Sequence, residues 1–104
     1  MRIRRIGEFD KWLTKLRDNT GKALILDRIR RLEDGNRGDW KPIDENLFEM
    51  RVRFGPGYRV YCKDTGQEIV ILLCGGNKST QQGDIERAKK LALEPLKEEN
   101  DGNS

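Results

Sequence analysis

The stretch LFEMRVRFGPGYRVYCK, residues 47–63, contains two short alternating segments separated by Gly-Pro-Gly. The even-numbered positions of both segments are apolar or aromatic: Phe48, Met50, Val52, Phe54, Tyr58, Val60 and Cys62. The odd-numbered positions are mostly charged: Glu49, Arg51, Arg53, Arg59, Tyr61 and Lys63. Because successive side chains of a strand point to opposite faces, this pattern predicts an antiparallel hairpin with one apolar face and one charged face.

The charged face is unusual because it places arginines opposite one another. If the turn is centred on residues 55–57, three cross-strand pairs follow: Arg53 with Arg59, Arg51 with Tyr61, and Glu49 with Lys63. Like charges that face each other destabilise a sheet, and a bound anion between them offsets this. The simpler interpretation is an ordinary solvent-exposed sheet face. Guanidinium groups bind phosphate oxygens in a bidentate way, so a phosphodiester ligand is the functional alternative.

Length and charge indicate one small basic domain. The chain has 104 residues, of which 35% are hydrophobic and 38% charged, with a formal net charge of +3. The last ten residues, PLKEENDGNS, carry one lysine and three acids, so residues 1–94 carry about +5. We therefore expect a folded domain over residues 1–94 and a polar, disordered tail over residues 95–104. The basic domain favours nucleic acid or an acidic protein as partner.

The sequence shows no pattern typical of a metal site or of a membrane-spanning segment. The chain has no histidine, and its two cysteines, Cys62 and Cys74, lack the spacing of metal ligands. No metal site and no cofactor is therefore expected, and both thiols should be buried and reduced. Neither a signal-peptide core nor a run of roughly 18 to 20 apolar residues is present, which predicts a cytoplasmic protein without membrane association.

The first half of the chain predicts a strand and two helices. Residues 3–6 form a short strand, and Phe9, Trp12, Leu13 and Leu16 then repeat with helical spacing. A second helix should follow Asn19 or Thr20 as its N-cap and stop at Gly35. Its polar side carries Lys22, Arg28, Arg30 and Arg31, which we interpret as a solvated face that can also support an RNA backbone. The segment GNRGDWKPIDEN, residues 35–46, should be irregular. Trp40 either anchors it to the core, which we favour, or offers an exposed stacking surface.

The second half predicts a central strand and a final helix. The apolar run EIVILLC, residues 68–74, suits a strand covered on both faces, and Gly75 and Gly76 should end it. Ser79 or Thr80 then caps a helix that Pro95 terminates. The predicted fold is α+β in the order βααβββα, with a small antiparallel sheet packed by two N-terminal helices and a C-terminal helix.

Lys78 follows the predicted central strand and comes just before the last helix. A helix N-terminus attracts anions, and a neighbouring lysine strengthens that attraction. Because the strand that precedes it pairs with the strand of Arg59, we expect Lys78 to converge with Arg51 and Arg59.

Two motifs carry a family resemblance: G-P-G-Y-R-V-Y at residues 55–61 and G-G-x-K-x-T-Q at residues 75–81. Together with the surrounding residues 38–92, they resemble the addiction-module killer proteins, a HigB-like branch of the RelE/ParE toxin superfamily. The similarity extends over roughly residues 7–93, with Met50 in place of the usual leucine.

The resemblance implies the toxin of a type II toxin–antitoxin module, a metal-independent endoribonuclease that cleaves mRNA on the ribosome and inhibits translation. Its partner would be a cognate helix-turn-helix antitoxin, through which alone the complex would reach operator DNA. In such enzymes the RNA 2′-hydroxyl attacks the adjacent phosphate and the 5′-oxygen leaves, which requires a base, a proton donor and cations.

The resemblance and the predicted charged face together assign the site residues. Five would be catalytic: Glu49 as the base, Arg51 and Arg59 on the phosphate, Lys78 on the phosphate or leaving oxygen, and Tyr61 in base stacking or proton transfer. Five would contact RNA: Lys41, Arg53, Lys63, Thr80 and Gln81.

Two other functions are compatible with the resemblance. ParE-like members of the superfamily inhibit DNA gyrase, and in such a protein Arg59 and Lys78 would be structural or would contact gyrase. A degenerate toxin that only binds its antitoxin is the other alternative. The concentration of Arg, Lys, Tyr and Glu on one sheet face favours RNA cleavage.

Overall fold

The computed structural model describes residues 1–95, so the predicted tail lies outside the described residues except for Pro95. The elements in chain order are β1 (Arg2–Arg5), α1 (Gly7–Lys15), α2 (Asn19–Glu33), β2 (Trp40–Asp44), β3 (Leu47–Val52), β4 (Tyr58–Asp64), β5 (Ile69–Asn77), a 3₁₀ turn (Lys78–Thr80) and α3 (Gln81–Leu93). Within residues 1–95, no helix combines the length and the apolar character that a membrane crossing requires.

One five-stranded sheet organises the domain, with strand order β1-β5-β4-β3-β2. Strands β2 to β5 pair antiparallel, whereas β1 pairs parallel to β5. The predicted α+β class is confirmed, but the expectation of a wholly antiparallel sheet is wrong at this edge. The two helices that follow β1 form a long connection to the remaining strands, and this permits a parallel neighbour that a tight hairpin cannot provide.

Strand β2 lies in the segment predicted to be irregular. Its residues pair with β3, with Trp40 opposite Met50 and Pro42 opposite Phe48. Proline lacks a backbone N–H, but it is tolerated here because β2 is an edge strand whose outer side has no ladder to complete. The Trp40 ring packs edge-on against buried Phe48, with 5.6 Å between ring centres, as an anchor should. The residue is nevertheless 40% exposed at the sheet edge.

The sheet separates two apolar clusters. Helices α1 and α2 cover one face, where the buried residues include Phe9, Ile25, Leu32, Met50 and Val60. Helix α3 covers part of the other face, where Tyr61, Leu73 and Ala88 are buried. The even-numbered residues of β3 and β4 lie in the first cluster, as the alternation predicts. The odd-numbered face is not simply solvated, because α3 covers much of it.

The start of α2 differs from the prediction by one residue. Asp18 is the N-cap, since its carboxylate accepts a hydrogen bond from the Gly21 backbone N–H at 3.0 Å. The same carboxylate accepts a hydrogen bond from the Tyr58 hydroxyl at 2.7 Å, which ties the helix to β4. These two bonds hold the pKa of Asp18 below its ordinary value, and the bond from Gly21 has the larger effect. The predicted stop at Gly35 is confirmed, because this residue has a φ of +89° just after the helix.

The two glycines predicted to end the central strand belong to β5. A Cβ at Gly75 would overlap the Trp12 ring of α1, and one at Gly76 would overlap the carboxylate of Asp84 in α3. The pair therefore lets helices approach β5 from opposite faces. The strand ends at Asn77, whose side chain caps the 3₁₀ turn.

Candidate active site

The β3–β4 hairpin has a longer loop than the sequence predicts. The last pair is Val52 with Tyr58, so Arg53 and Gly57 both belong to the loop. The observed register places Arg51 opposite Arg59, and the other predicted pairs shift by the same two residues, with Glu49 opposite Tyr61 and Leu47 opposite Lys63. The predicted register is therefore wrong. Because side chains alternate with period two, a shift of two residues leaves every side chain on its predicted face.

Four cations surround a groove beside this hairpin loop. The groove has a volume of about 300 Å³, and Arg51, Arg53, Arg59 and Lys78 all line it, together with the loop residues 54–57. We call it the cation groove. The predicted convergence of Lys78 with Arg51 and Arg59 is confirmed. Three guanidinium groups and one ammonium group around one concavity are suited to a phosphate oxyanion.

Asp39 holds two of these arginines and was missed by the sequence analysis. Its carboxylate accepts a hydrogen bond from Arg53 Nε at 2.6 Å and lies 3.5 Å from Arg51 Nε. The hydrogen bond from Arg53 is the largest of the interactions that keep the pKa of Asp39 below its ordinary value. This carboxylate orients Arg51 and Arg53 and leaves the groove with a net positive charge.

Arg28 fixes the segment that carries Asp39. Its guanidinium donates hydrogen bonds to the backbone carbonyls of Arg37, Asp39 and Arg51. Desolvation by burial lowers the pKa of Arg28 from its ordinary value. The interpretation of Arg28 as part of a solvated face of α2 is wrong, because this side chain turns toward the sheet and joins the loop to β3.

Arg59 is held by a buried carboxylate. Arg59 Nε lies 3.6 Å from Glu49 Oε2, and only 12% of the Arg59 side chain is exposed. The Gln81 amide at the start of α3 donates to both oxygens of the same carboxylate, at 3.1 and 3.3 Å. Arg59 also donates to the Gly57 carbonyl at 3.1 Å, so its guanidinium is fixed from both sides.

Glu49 is closed to solvent in this arrangement. It is 1% exposed and is the one charged residue among the buried residues of the described chain. A general base must come within hydrogen-bond reach of the proton that it accepts. Here both oxygens of the Glu49 carboxylate already accept hydrogen bonds from the Gln81 amide. The geometry therefore suits a role for Glu49 in positioning Arg59, and it does not suit the predicted role of Glu49 as the base.

Tyr61 lies beneath α3, opposite Glu49. It is fully buried, and its hydroxyl has no hydrogen-bond partner. Burial, followed by the nearby charge of Glu49, raises its pKa well above the ordinary value. A ring in this position cannot stack on an RNA base unless α3 moves, so the predicted stacking role does not fit the arrangement.

Three of the remaining predicted residues have other positions or partners. Lys63 donates through Nζ to the Ala92 carbonyl at 2.9 Å, which satisfies the C-terminal end of α3. Thr80 accepts a hydrogen bond from the Asn77 N–H, which is part of the capping box of the turn, and donates one to the Asp84 carboxylate of α3. Lys41 is exposed on the edge strand β2, opposite Glu49, and is not among the residues that line the cation groove.

Comparison with known proteins places the chain in a family. The family model described as phage-derived protein Gp49-like matches residues 11–97. This chain belongs to the Gp49-like family. An uncharacterized protein from Haemophilus influenzae is 54% identical over 86 residues, which cover 83% of this chain and 87% of that protein. The residues matched by the family model include both the β3–β4 hairpin and Lys78.

Two solved structures share the fold of this Gp49-like protein. A double arginine-to-alanine mutant of the Escherichia coli toxin RelE in the free state superposes with a TM-score of 0.64 at 16% identity, covering 88% of this chain and 97% of that one. The toxin–antitoxin complex RelBE2 from Mycobacterium tuberculosis gives a TM-score of 0.51 at 20% identity, covering 74% of this chain and 96% of the matched one. The predicted RelE-like fold is confirmed, while the HigB-like branch stays a prediction.

Proposed function

We propose that this Gp49-like protein is the toxin of a type II toxin–antitoxin module, of HigB-like character, which cleaves mRNA on the ribosome in the cytoplasm without a metal ion. The observation that carries the proposal is the cation groove, in which Arg51, Arg53, Arg59 and Lys78 converge. The RelE-like fold and the toxin–antitoxin complex among its structural relatives support it. A cognate helix-turn-helix antitoxin is the proposed partner.

The groove acts on the scissile phosphate by electrostatic stabilisation. The 2′-hydroxyl gives its proton to solvent water at the open groove as its oxygen bonds to phosphorus, the bond from phosphorus to the 5′-oxygen breaks, and a 2′,3′-cyclic phosphate is left. Negative charge builds up on the non-bridging oxygens between these events. Arg51 and Arg59 face each other across the hairpin and are placed to bind those oxygens. Donors fixed before the reaction stabilise developing charge without a reorganisation cost. Lys78 is exposed at the groove and supplies the proton to the leaving oxygen.

Glu49 and Gln81 contribute to this scheme by holding Arg59. A guanidinium attached to a long flexible side chain loses conformational entropy when it is ordered, and a preformed ion pair removes part of that cost from the binding step. Arg53 is 73% exposed on the loop and makes the outer contact with the RNA backbone. Lys41, on the neighbouring edge strand, extends the positive surface for the RNA strand.

The test is induction of the toxin without its antitoxin, followed by mapping of new RNA 5′ ends. Wild type, Arg59→Ala and Arg53→Ala are compared with Arg2→Ala, which removes one exposed arginine from β1, beside the end of β5 opposite to Lys78. Wild type and Arg2→Ala should produce cuts within translated reading frames. Each groove variant should lose about 10- to 100-fold in cleavage, since a hydrogen bond to a charged group contributes about 1.5 to 3 kcal/mol.

The thermal unfolding of each purified variant shows whether a loss of cleavage is a loss of fold. Arg53→Ala is the stricter variant, because this side chain is largely solvent-exposed and its removal leaves no cavity. Toxicity without new RNA ends would contradict the proposal and direct attention to gyrase supercoiling. The absence of toxicity in wild type would point to a protein that only binds its antitoxin.

A further inference from the structure

A second groove lies next to the cation groove, along the start of α3. It has a volume of about 560 Å³, and the residues on its wall include Lys78, Gln82, Ile85, Glu86 and Lys89. The spacing of the last four places them on one side of α3, whereas Lys78 lies in the 3₁₀ turn before the helix. Lys78 also lines the cation groove, so the two concavities meet at this residue. We call the second concavity the α3 groove.

The chemistry of the α3 groove differs from that of the cation groove. Gln82 offers an amide donor and acceptor, Glu86 offers a carboxylate acceptor, and Ile85 is a partly buried apolar residue that packs on the core beneath α3. Glu86 is the one carboxylate on this wall, with Lys78 before it and Lys89 after it along the chain, so the lining is mixed in charge, in contrast to the cation groove. A flat heterocycle can rest on an apolar side chain while its edge bonds to amide and carboxylate groups.

We propose that the α3 groove binds the base of a nucleotide adjacent to the phosphate held in the cation groove, and that it prefers a base with an exocyclic amino group. This inference rests on the proposed function. Lys78 would contact the backbone between the two nucleotides, since it borders both grooves. Single-stranded RNA is recognised by unstacked bases whose edges are open to such contacts.

Glu86 is the residue that sets the preference. A carboxylate accepts a hydrogen bond from the exocyclic amino group of adenine, cytosine or guanine. The one edge donor of uracil, its ring N3–H, lies between two carbonyl oxygens that repel a carboxylate, so uracil is the disfavoured base. A good pair of hydrogen bonds between a side chain and a base discriminates by about 1 to 3 kcal/mol, which corresponds to roughly 5- to 150-fold in relative cleavage. Gln82, one turn earlier, contributes the second edge contact.

The experiment compares the base composition around mapped cleavage sites for wild type, Glu86→Gln and Gln82→Ala. The control is Glu33→Gln, which makes the same chemical change at an exposed residue at the end of α2. All three altered residues are exposed, so thermal unfolding should stay near that of wild type. Wild type and the control should share a preference against uracil at one position beside the cut. Glu86→Gln should reduce that preference at least fivefold, measured as the ratio of cuts beside uracil to cuts beside the other three bases.

The possible failures can be told apart. A wild type that cleaves without discriminating against uracil at any flanking position would overturn the base-binding inference alone. Folded variants at Glu86 and Gln82 with an unchanged site profile would do the same, whatever their total cleavage. No cleavage by wild type would overturn the proposed function and this inference with it.

Discussion

Replacement of Glu49 by alanine should destabilise the protein strongly, because this buried carboxylate joins β3, β4 and α3. The change removes the acceptor of two hydrogen bonds from Gln81 and the ion pair with Arg59 at 3.6 Å. At an effective dielectric constant of about 20, two charges at that separation attract with roughly 4 to 5 kcal/mol. The cost of desolvating the carboxylate offsets part of this attraction.

The expected loss in unfolding free energy is about 3 kcal/mol, at the low end for removing one partner of a buried ion pair. The low end applies because Arg59 keeps 12% exposure and a hydrogen bond to the Gly57 carbonyl. For a domain of this size the melting temperature should fall by about 12 to 20 °C. Urea unfolding followed by tryptophan fluorescence measures the free energy, and a thermal scan measures the melting temperature. Glu33→Ala is the exposed control and is expected within about 0.5 kcal/mol of wild type.

A double-mutant cycle with Arg59→Ala isolates the pair, and we expect a coupling energy of about 1 to 3 kcal/mol. A destabilisation below about 1 kcal/mol, or a coupling energy near zero, would refute this reasoning. Glu49→Gln then separates the positioning role from the originally predicted base role. Loss of a general base costs about 100- to 10,000-fold in rate, whereas an amide that still holds Arg59 should cost less than about tenfold.

Two further predictions concern residues that hold the helices to the sheet. Gly75→Ala should lower the unfolding free energy by about 2 to 3 kcal/mol, because the added methyl group overlaps the Trp12 ring. Trp12→Leu in the same chain should recover part of this loss. If Gly75→Ala cost the same free energy with Trp12 and with leucine at that position, the overlap would not be its cause. The pKa of Asp18 is lower in the folded protein than its ordinary value of 3.8, so the ionised carboxylate stabilises the fold above pH 3.8, and this contribution is lost as the pH falls through the folded-state pKa. The difference in urea stability between wild type and Asp18→Asn should therefore shrink below pH 3.8. A difference that does not change with pH would argue against this linkage.

The sequence carried the strands and their faces because period-two alternation is a local property. Met50 and Val60 on one side and Arg51 and Arg59 on the other follow from the order of residues alone. The register of the hairpin did not follow, since the loop takes two more residues than the Gly-Pro-Gly turn suggests. Strand β2 was missed for a related reason: Pro42 and its polar neighbours read as a loop, and only pairing with β3 makes them an edge strand.

Local sequence patterns are enough to predict a cluster of cations on one face of a small sheet, and the motifs indicate a RelE-like fold. Which of these charges a ligand can reach depends on tertiary packing. Helix α3 closes Glu49 and Tyr61 off from solvent, Arg28 turns inward to hold a loop, and Asp39 arrives beside Arg51 and Arg53 from another part of the chain. Solvent exposure and long-range partners depend on how elements pack, which local sequence patterns do not encode.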